Sequence, residues 1–122
     1  MRLTKVMIVE DEVIAALATE KMLRKLGFDV CGNVTSGEEA LLEFDGKDPD
    51  IVIMDIRLDG ELDGIETAAQ IKRKRDVPVI FVTAYSDDST RARADATRPL
   101  AFINKPLDIG LLKDILDGFT IN

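Results

Sequence analysis

Five short apolar or β-branched stretches alternate with helix-patterned segments along the whole of this sequence, and that alternation restricts the fold more than any other feature. Residues 5–9 (KVMIV), 51–54 (IVIM) and 79–82 (VIFV) are continuously apolar after the leading Lys5, the pattern of strands covered on both faces. They are predicted to be the central strands of a sheet. Residues 29–34 (DVCGNV) and 100–103 (LAFI) are interrupted by glycine or flanked by proline, which suits positions nearer the edges.

Helical spacing fills the intervals. Ala15, Ala18, Thr19, Met22, Leu23 and Leu26 recur three and four residues apart, opposite Glu20, Lys21, Arg24 and Lys25, so this helix should turn the first set inward. Gly27 is its expected C′ residue, because a left-handed backbone costs glycine nothing. Thr35 and Ser36 stand before Glu38 and Glu39 at capping-box spacing, with Ala40, Leu41 and Phe44 facing the core. Asp63, Gly64, Ile65 and Glu66 open a third helix through Ala68, Ala69 and Ile71, and the cations Lys72–Arg75 complement the dipole at its end. Residues 86–97 begin with a capping serine, Ser86, but carry few large apolar groups, so that helix should be exposed and loosely held. Residues 108–118 form the last helix, with Ile109, Leu112, Ile115 and Leu116 inward.

The order βαβαβαβαβα with connections of a few residues implies an α/β fold, a doubly wound five-stranded parallel sheet flanked by helices on both faces. At about 100–200 residues per domain, 122 residues read as one domain, 1–122. In such sheets, sites form beyond the carboxyl ends of the strands.

Composition excludes several kinds of chemistry. Histidine is absent, which removes imidazole metal ligands, His-based triads and phosphohistidine carriers. The net charge of −7 disfavours nucleic acid and anionic lipid as direct partners. Apolar runs stop at about five residues, far short of the ~20 that cross a bilayer, and MRLTKVMIVEDE does not resemble a signal peptide. A cytoplasmic protein with no membrane partner is expected, in keeping with the single cysteine, Cys31, read as a small core residue.

What remains gathers at strand ends. Strand one ends in Glu10, Asp11 and Glu12, strand three in Asp55 and strand four in Thr83, while Lys105 and Pro106 follow strand five. Singly, each has a plain explanation: Glu12 suits the start of a helix, Thr83 a cap, Lys105 a solvated surface. Together they arrive at one edge of the sheet. Close carboxylate pairs repel by about 4 kcal/mol at an effective dielectric of ~20, so the group calls for a cation. Hard oxygen ligands without imidazole or paired thiolates suit Mg²⁺. A divalent ion, a lysine and a hydroxyl are the parts that in-line phosphoryl transfer uses.

IVEDE at 8–12, DIVIMDIRL at 50–58, VTAYS at 82–86 and INKPL at 103–107 resemble the signature segments of two-component response-regulator receiver domains, and the likeness runs over essentially the whole chain. It implies a (βα)5 flavodoxin-like fold. It also implies that Glu10 and Asp11 hold Mg²⁺, with Mn²⁺ able to substitute, that Asp55 is the phosphoacceptor, and that the Arg57 backbone carbonyl is a further metal ligand. Thr83 would be the switch hydroxyl, Lys105 the phosphoryl partner and Phe102 the aromatic that changes rotamer, while Arg57 and Tyr85 occupy positions that tune acyl-phosphate lifetime. The Lys105–Pro106 bond should be cis. The implied partners are a histidine kinase or phosphotransfer protein and a downstream protein target on the surface of helix four, strand five and helix five, with a phosphorylation-dependent homodimer as a further form. Such a domain would catalyse its own phosphorylation and dephosphorylation, as a stand-alone protein or as the receiver of a larger regulator or hybrid kinase. Two departures stand out: Glu10 occupies a position that is usually aspartate, and the IRLDGEL loop is one residue longer than the commonest form and lacks its proline.

Other classes fit less well. A haloacid-dehalogenase-like phosphatase would want DxD after the first strand, whereas Asp55 and Asp59 follow the third as DxxxD. A flavodoxin-like cofactor binder would want Ser, Thr or Gly after strand one, where this chain has acids. A receiver that serves only for docking, without phosphorylation, would not need Glu10, Asp11, Asp55, Thr83 and Lys105 together.

Overall fold

A computed structural model describes residues 2–84 and 87–119. The elements are β1 (Lys5–Val9), α1 (Val13–Lys25), β2 (Asp29–Val34), α2 (Gly37–Lys47), β3 (Ile51–Met54), α3 (Gly64–Lys74), β4 (Val79–Thr83), α4 (Asp88–Ala96), β5 (Ala101–Asn104) and α5 (Ile109–Phe119). The strands form one parallel sheet in the order β2-β1-β3-β4-β5. The three continuously apolar runs are indeed the central strands, and the two interrupted ones lie at the edges. Alternate strand residues feed two cores. Met7, Val9, Val52, Met54, Val79 and Phe81 pack with Phe44 and Ile71 of α2 and α3 on one face. Val6, Ile8, Ile51, Ile53, Ile80 and Val82 pack with Leu23, Leu112 and Leu116 of α1 and α5 on the other.

Helix starts follow the expected capping chemistry. The Ser36 side chain accepts from the Glu39 N–H at the head of α2. Asp63 and Glu66 form a complete capping box on α3. Gly27, at φ +92°, leaves α1 in the left-handed region that glycine tolerates. The start of α4 departs from expectation: its cap is Asp87, which accepts from the Thr90 N–H, and Ser86 lies outside the described residues. As the sparse apolar content of that helix implied, Ala94 is its only buried residue.

The inward face of α1 also differs from the expected one. Ala16 and Leu23, seven residues apart, are buried, whereas Ala18 is exposed and Ile14 is 85% exposed. The helix offers more apolar side chains than the sheet can cover, so periodicity alone selected too broad a stripe. Among the described residues no helix is long and apolar enough to cross a membrane.

Candidate functional site

Glu10, Asp55 and Lys105 stand one step past β1, β3 and β5, where the ladder of backbone hydrogen bonds still holds them, and Thr83 is the last residue of β4. The Glu10 N–H donates to Val34 O (3.0 Å), that of Asp55 to Val9 O (2.9 Å) and that of Lys105 to Thr83 O (2.8 Å). Because β1, β3, β4 and β5 are neighbours in the sheet, these backbone ties deliver all four residues to one cleft. The peptide bond between Lys105 and Pro106 is cis, as expected.

Lys105 is the centre of the arrangement. Its Nζ donates to Glu10 Oε1 (2.7 Å) and Asp55 Oδ2 (2.9 Å), and it lies 3.9 Å from Glu12 Oε1. Glu10 and Asp55 are each only 7% exposed. Burial, with Asp55 adding repulsion, pushes the Glu10 carboxyl up to about 7 in spite of the Lys105 ammonium. Burial acts on Lys105 in the opposite sense to its hydrogen bonds from the two carboxylates, and the bonds prevail, so its pKa lies above the ordinary lysine value and it stays charged. Glu12 is thus more than the helix-opening acid its position suggested. It occupies the N-cap of α1 without a side-chain capping bond and faces the cleft instead.

Oxygen atoms of Glu10, Asp11 and Asp55 all lie within 4.8 Å of one another. Adjacent ligands of an octahedral Mg²⁺-sized ion, at bond lengths of about 2.0–2.1 Å, stand about 3 Å apart, so these carboxylates need to close by at most about 2 Å. The donor set, hard oxygens only, fits such an ion. Asp11, Glu12, Asp55, Arg57, Thr83, Ala84 and Lys105 line an open cleft of about 280 Å³. A second hollow of about 360 Å³ continues from Glu10, Asp55 and Lys105 between α1 and the turn at Pro106 and Leu107.

The remaining candidates are distributed around this cleft. Thr83 is fully buried at its edge. The Arg57 backbone N–H donates to Asp55 Oδ1 at 3.3 Å, and its side chain is exposed. Phe102 is half-buried, tilted against Phe81 with centroids 6.3 Å apart, and the Arg91 guanidinium of α4 lies 4.3 Å from its ring centre. Tyr85 falls outside the described residues.

Two features that shape the site were not recognised from sequence. Gly64 packs so tightly that a Cβ there would lie 1.9 Å from the Asp55 carbonyl oxygen. Glu38, read only as a helix-opening acid, accepts from the Glu61 and Leu62 N–H groups in the loop between β3 and α3. A glycine directly after an N-cap was a legible sign of the first. The second joins residues more than twenty positions apart and has no local signal.

Comparison with known proteins agrees with this geometry. The family description "response regulator receiver domain" matches residues 6–117. The transcriptional regulatory protein PdtaR of Mycobacterium tuberculosis is 34% identical over 105 residues, 86% of this chain and 51% of that protein. The transcriptional regulatory protein ZraR of Escherichia coli is 33% identical over 113 residues, 92% of this chain and 25% of that protein. The chain therefore spans at most about half the length of these curated relatives. Among solved structures, the signal receiver domain of a modulated diguanylate cyclase from Desulfovibrio desulfuricans superposes with a TM-score of 0.90 at 38% identity, covering 96% of this chain and 93% of that one.

Proposed function

Because this chain belongs to the response-regulator receiver family, the phosphoryl-accepting switches of two-component signalling, we propose that Asp55 takes its phosphoryl group from a histidine kinase or phosphotransfer protein. The observation that carries the assignment is the Lys105 ammonium, 2.9 Å from Asp55 Oδ2 and 2.7 Å from Glu10 Oε1, in a cleft that Thr83 also lines.

Glu10, Asp11 and Asp55, with the Arg57 carbonyl, would hold Mg²⁺ or Mn²⁺, which when bound offsets charge on the transferring phosphoryl group. An Asp55 carboxylate oxygen attacks phosphorus; the new P–O bond forms as the P–N bond to the donor imidazole breaks, and its electron pair stays on nitrogen. Lys105 neutralises one phosphoryl oxygen and the Thr83 hydroxyl donates to another. Phe102 then moves into the space that Thr83 leaves and alters the α4–β5–α5 surface, where a downstream protein target, or a second copy in a phosphorylation-dependent homodimer, would bind. Arg57 and Tyr85, at the sequence positions that tune acyl-phosphate lifetime in this family, set how long the phosphoryl group stays. Residues 1–122 act as one receiver module, in the cytoplasm, on protein partners and not on nucleic acid or membrane.

Incubation with acetyl phosphate and Mg²⁺ tests the reading. The wild-type chain gains one phosphoryl group and Asp55→Asn gains none; undiminished labelling of that variant would refute the acceptor assignment.

A further inference from the structure

The loop between β3 and α3 runs from the acceptor to the third helix and carries three charged residues, Arg57, Asp59 and Glu61, that are all exposed. It makes little ladder contact with the sheet. Its inner end is held where the Gly64 N–H donates to Ile56 O at 2.6 Å. Its tip is held from outside the cleft by α2. There Glu38 Oε2 accepts from the Glu61 N–H (3.0 Å) and the Leu62 N–H (3.2 Å). Asp59 forms an isolated bridge with Ser36, the cap of the same helix. Gly60, at φ +99°, lies directly against the carboxylate, since a Cβ there would stand 2.7 Å from Glu38 Oε1. That Oε1 atom is buried and has no hydrogen-bond partner. A carboxylate that leaves one buried oxygen unbonded while the other serves two loop amides is held there for the loop, because an unpaired buried acceptor is unfavourable. Backbone N–H groups, its own first and then those of Glu61 and Leu62, outweigh burial and keep the Glu38 carboxyl below the usual range, so it is anionic at neutral pH.

We propose that Glu38 is a positioning residue of the phosphorylation site, clamping the 56–63 loop so that the Arg57 carbonyl stands where a divalent ion on Asp11 and Asp55 can use it. The inference rests on the reading of the cleft given under Proposed function. The added residue in this loop makes such a clamp necessary. Without the proline of the shorter form, the segment has no rigid φ of its own, and Glu38 supplies from α2 the restraint that the loop sequence lacks.

The test is equilibrium binding of Mn²⁺, followed by the loss of the free-ion electron paramagnetic resonance signal, with no phosphodonor present. Groups that orient metal ligands from behind typically contribute about 10–100-fold in affinity, so Glu38→Ala is expected to weaken Mn²⁺ binding at least about tenfold. Glu38→Gln keeps an acceptor oxygen and should recover most of that loss. Gly60→Ala, which leaves Glu38 in place but forces its carboxylate off the loop, should weaken binding in the same direction. Acetyl phosphate labelling of Glu38→Ala should return to the wild-type rate once the ion is saturating. Unchanged Mn²⁺ affinity in both Glu38→Ala and Gly60→Ala overturns the proposal, as does a labelling rate that stays depressed at saturating ion. Asp11→Asn is the control for the site itself: if it too binds Mn²⁺ normally, the cleft is not the metal site, and it is that reading which fails.

Discussion

Replacing Gly64 by alanine adds one methyl group at the point where α3 meets the acceptor strand. That carbon would lie 1.9 Å from the Asp55 carbonyl oxygen and 2.8 Å from both the Asp55 carbonyl carbon and the Ile56 Cα. All three neighbours are backbone, so no side chain can swing aside. Restoring ordinary contact at 3.4 Å means opening the α3–β3 junction by about 1.5 Å. Overpacking of this kind costs about 1–3 kcal/mol, and loss of the 2.6 Å bond from the Gly64 N–H to Ile56 O adds about 0.5–1.5 kcal/mol. Against these, the reduced freedom of the unfolded chain returns about 0.4–1 kcal/mol. The net expectation is a loss of about 0.5–4 kcal/mol, to be set against the ~5–15 kcal/mol that domains possess. Urea unfolding followed by circular dichroism measures it. Gly46→Ala in α2 is the control, since a Cβ there meets nothing within 4 Å and should be neutral or stabilising by up to about 1 kcal/mol. The acetyl phosphate labelling rate of Gly64→Ala should also fall, by up to ~100-fold if Asp55 shifts by about 1 Å. Stability within about 0.5 kcal/mol of wild type together with an unchanged labelling rate would refute the reasoning.

Three further outcomes follow from contacts elsewhere. Asp50 accepts from the Lys5 N–H at 2.7 Å and is gripped by Arg2, which holds its carboxyl below the ordinary value of 3.8; its contribution is complete above that value and fades as pH falls through the lower folded one, so acid titration of Asp50→Asn should show a flatter loss of stability below about pH 4. Asp63→Ala removes both the α3 capping box and the 2.9 Å pair with Arg93 and should cost about 1–2 kcal/mol in urea unfolding, with Asp63→Asn recovering much of the cap. Arg91→Ala strips the guanidinium from the Phe102 ring, costs about 0.5–1 kcal/mol and should quicken labelling by freeing that ring; slower labelling would contradict the role given to Phe102.

Much of this was legible in the sequence, for a physical reason. A parallel strand covered on both faces must be apolar at every position, so β1, β3 and β4 announced themselves, and the residue after each one had to be a site residue or a cap. Glu10, Asp55 and Thr83 were found that way, and Lys105 by its place after the weaker fifth strand. The α1 stripe was misjudged at Ala18 because the burial of an alanine depends on where the sheet lies, not on its spacing from Ala15 or Met22. Ser86 outshone Asp87 as a cap, although both are good ones, because composition does not decide between adjacent acceptors. The grip of Glu38 on the loop at Gly60 and the placement of Arg91 over Phe102 depend on helices meeting distant segments, and no local pattern encodes either.

α4 enters the interior through Ala94 alone, while every residue of β3 and β4 is buried. Sliding that helix therefore forfeits little apolar burial, whereas displacing the strand beneath it would expose side chains of about 1.5–3 kcal/mol each. The pocket therefore rests on an unyielding sheet, and the helix that follows Thr83 in the chain is the compliant element. New charge deposited in the pocket is relieved where compliance is greatest, so the direction of the output is built into the uneven stiffness of the domain before any partner arrives.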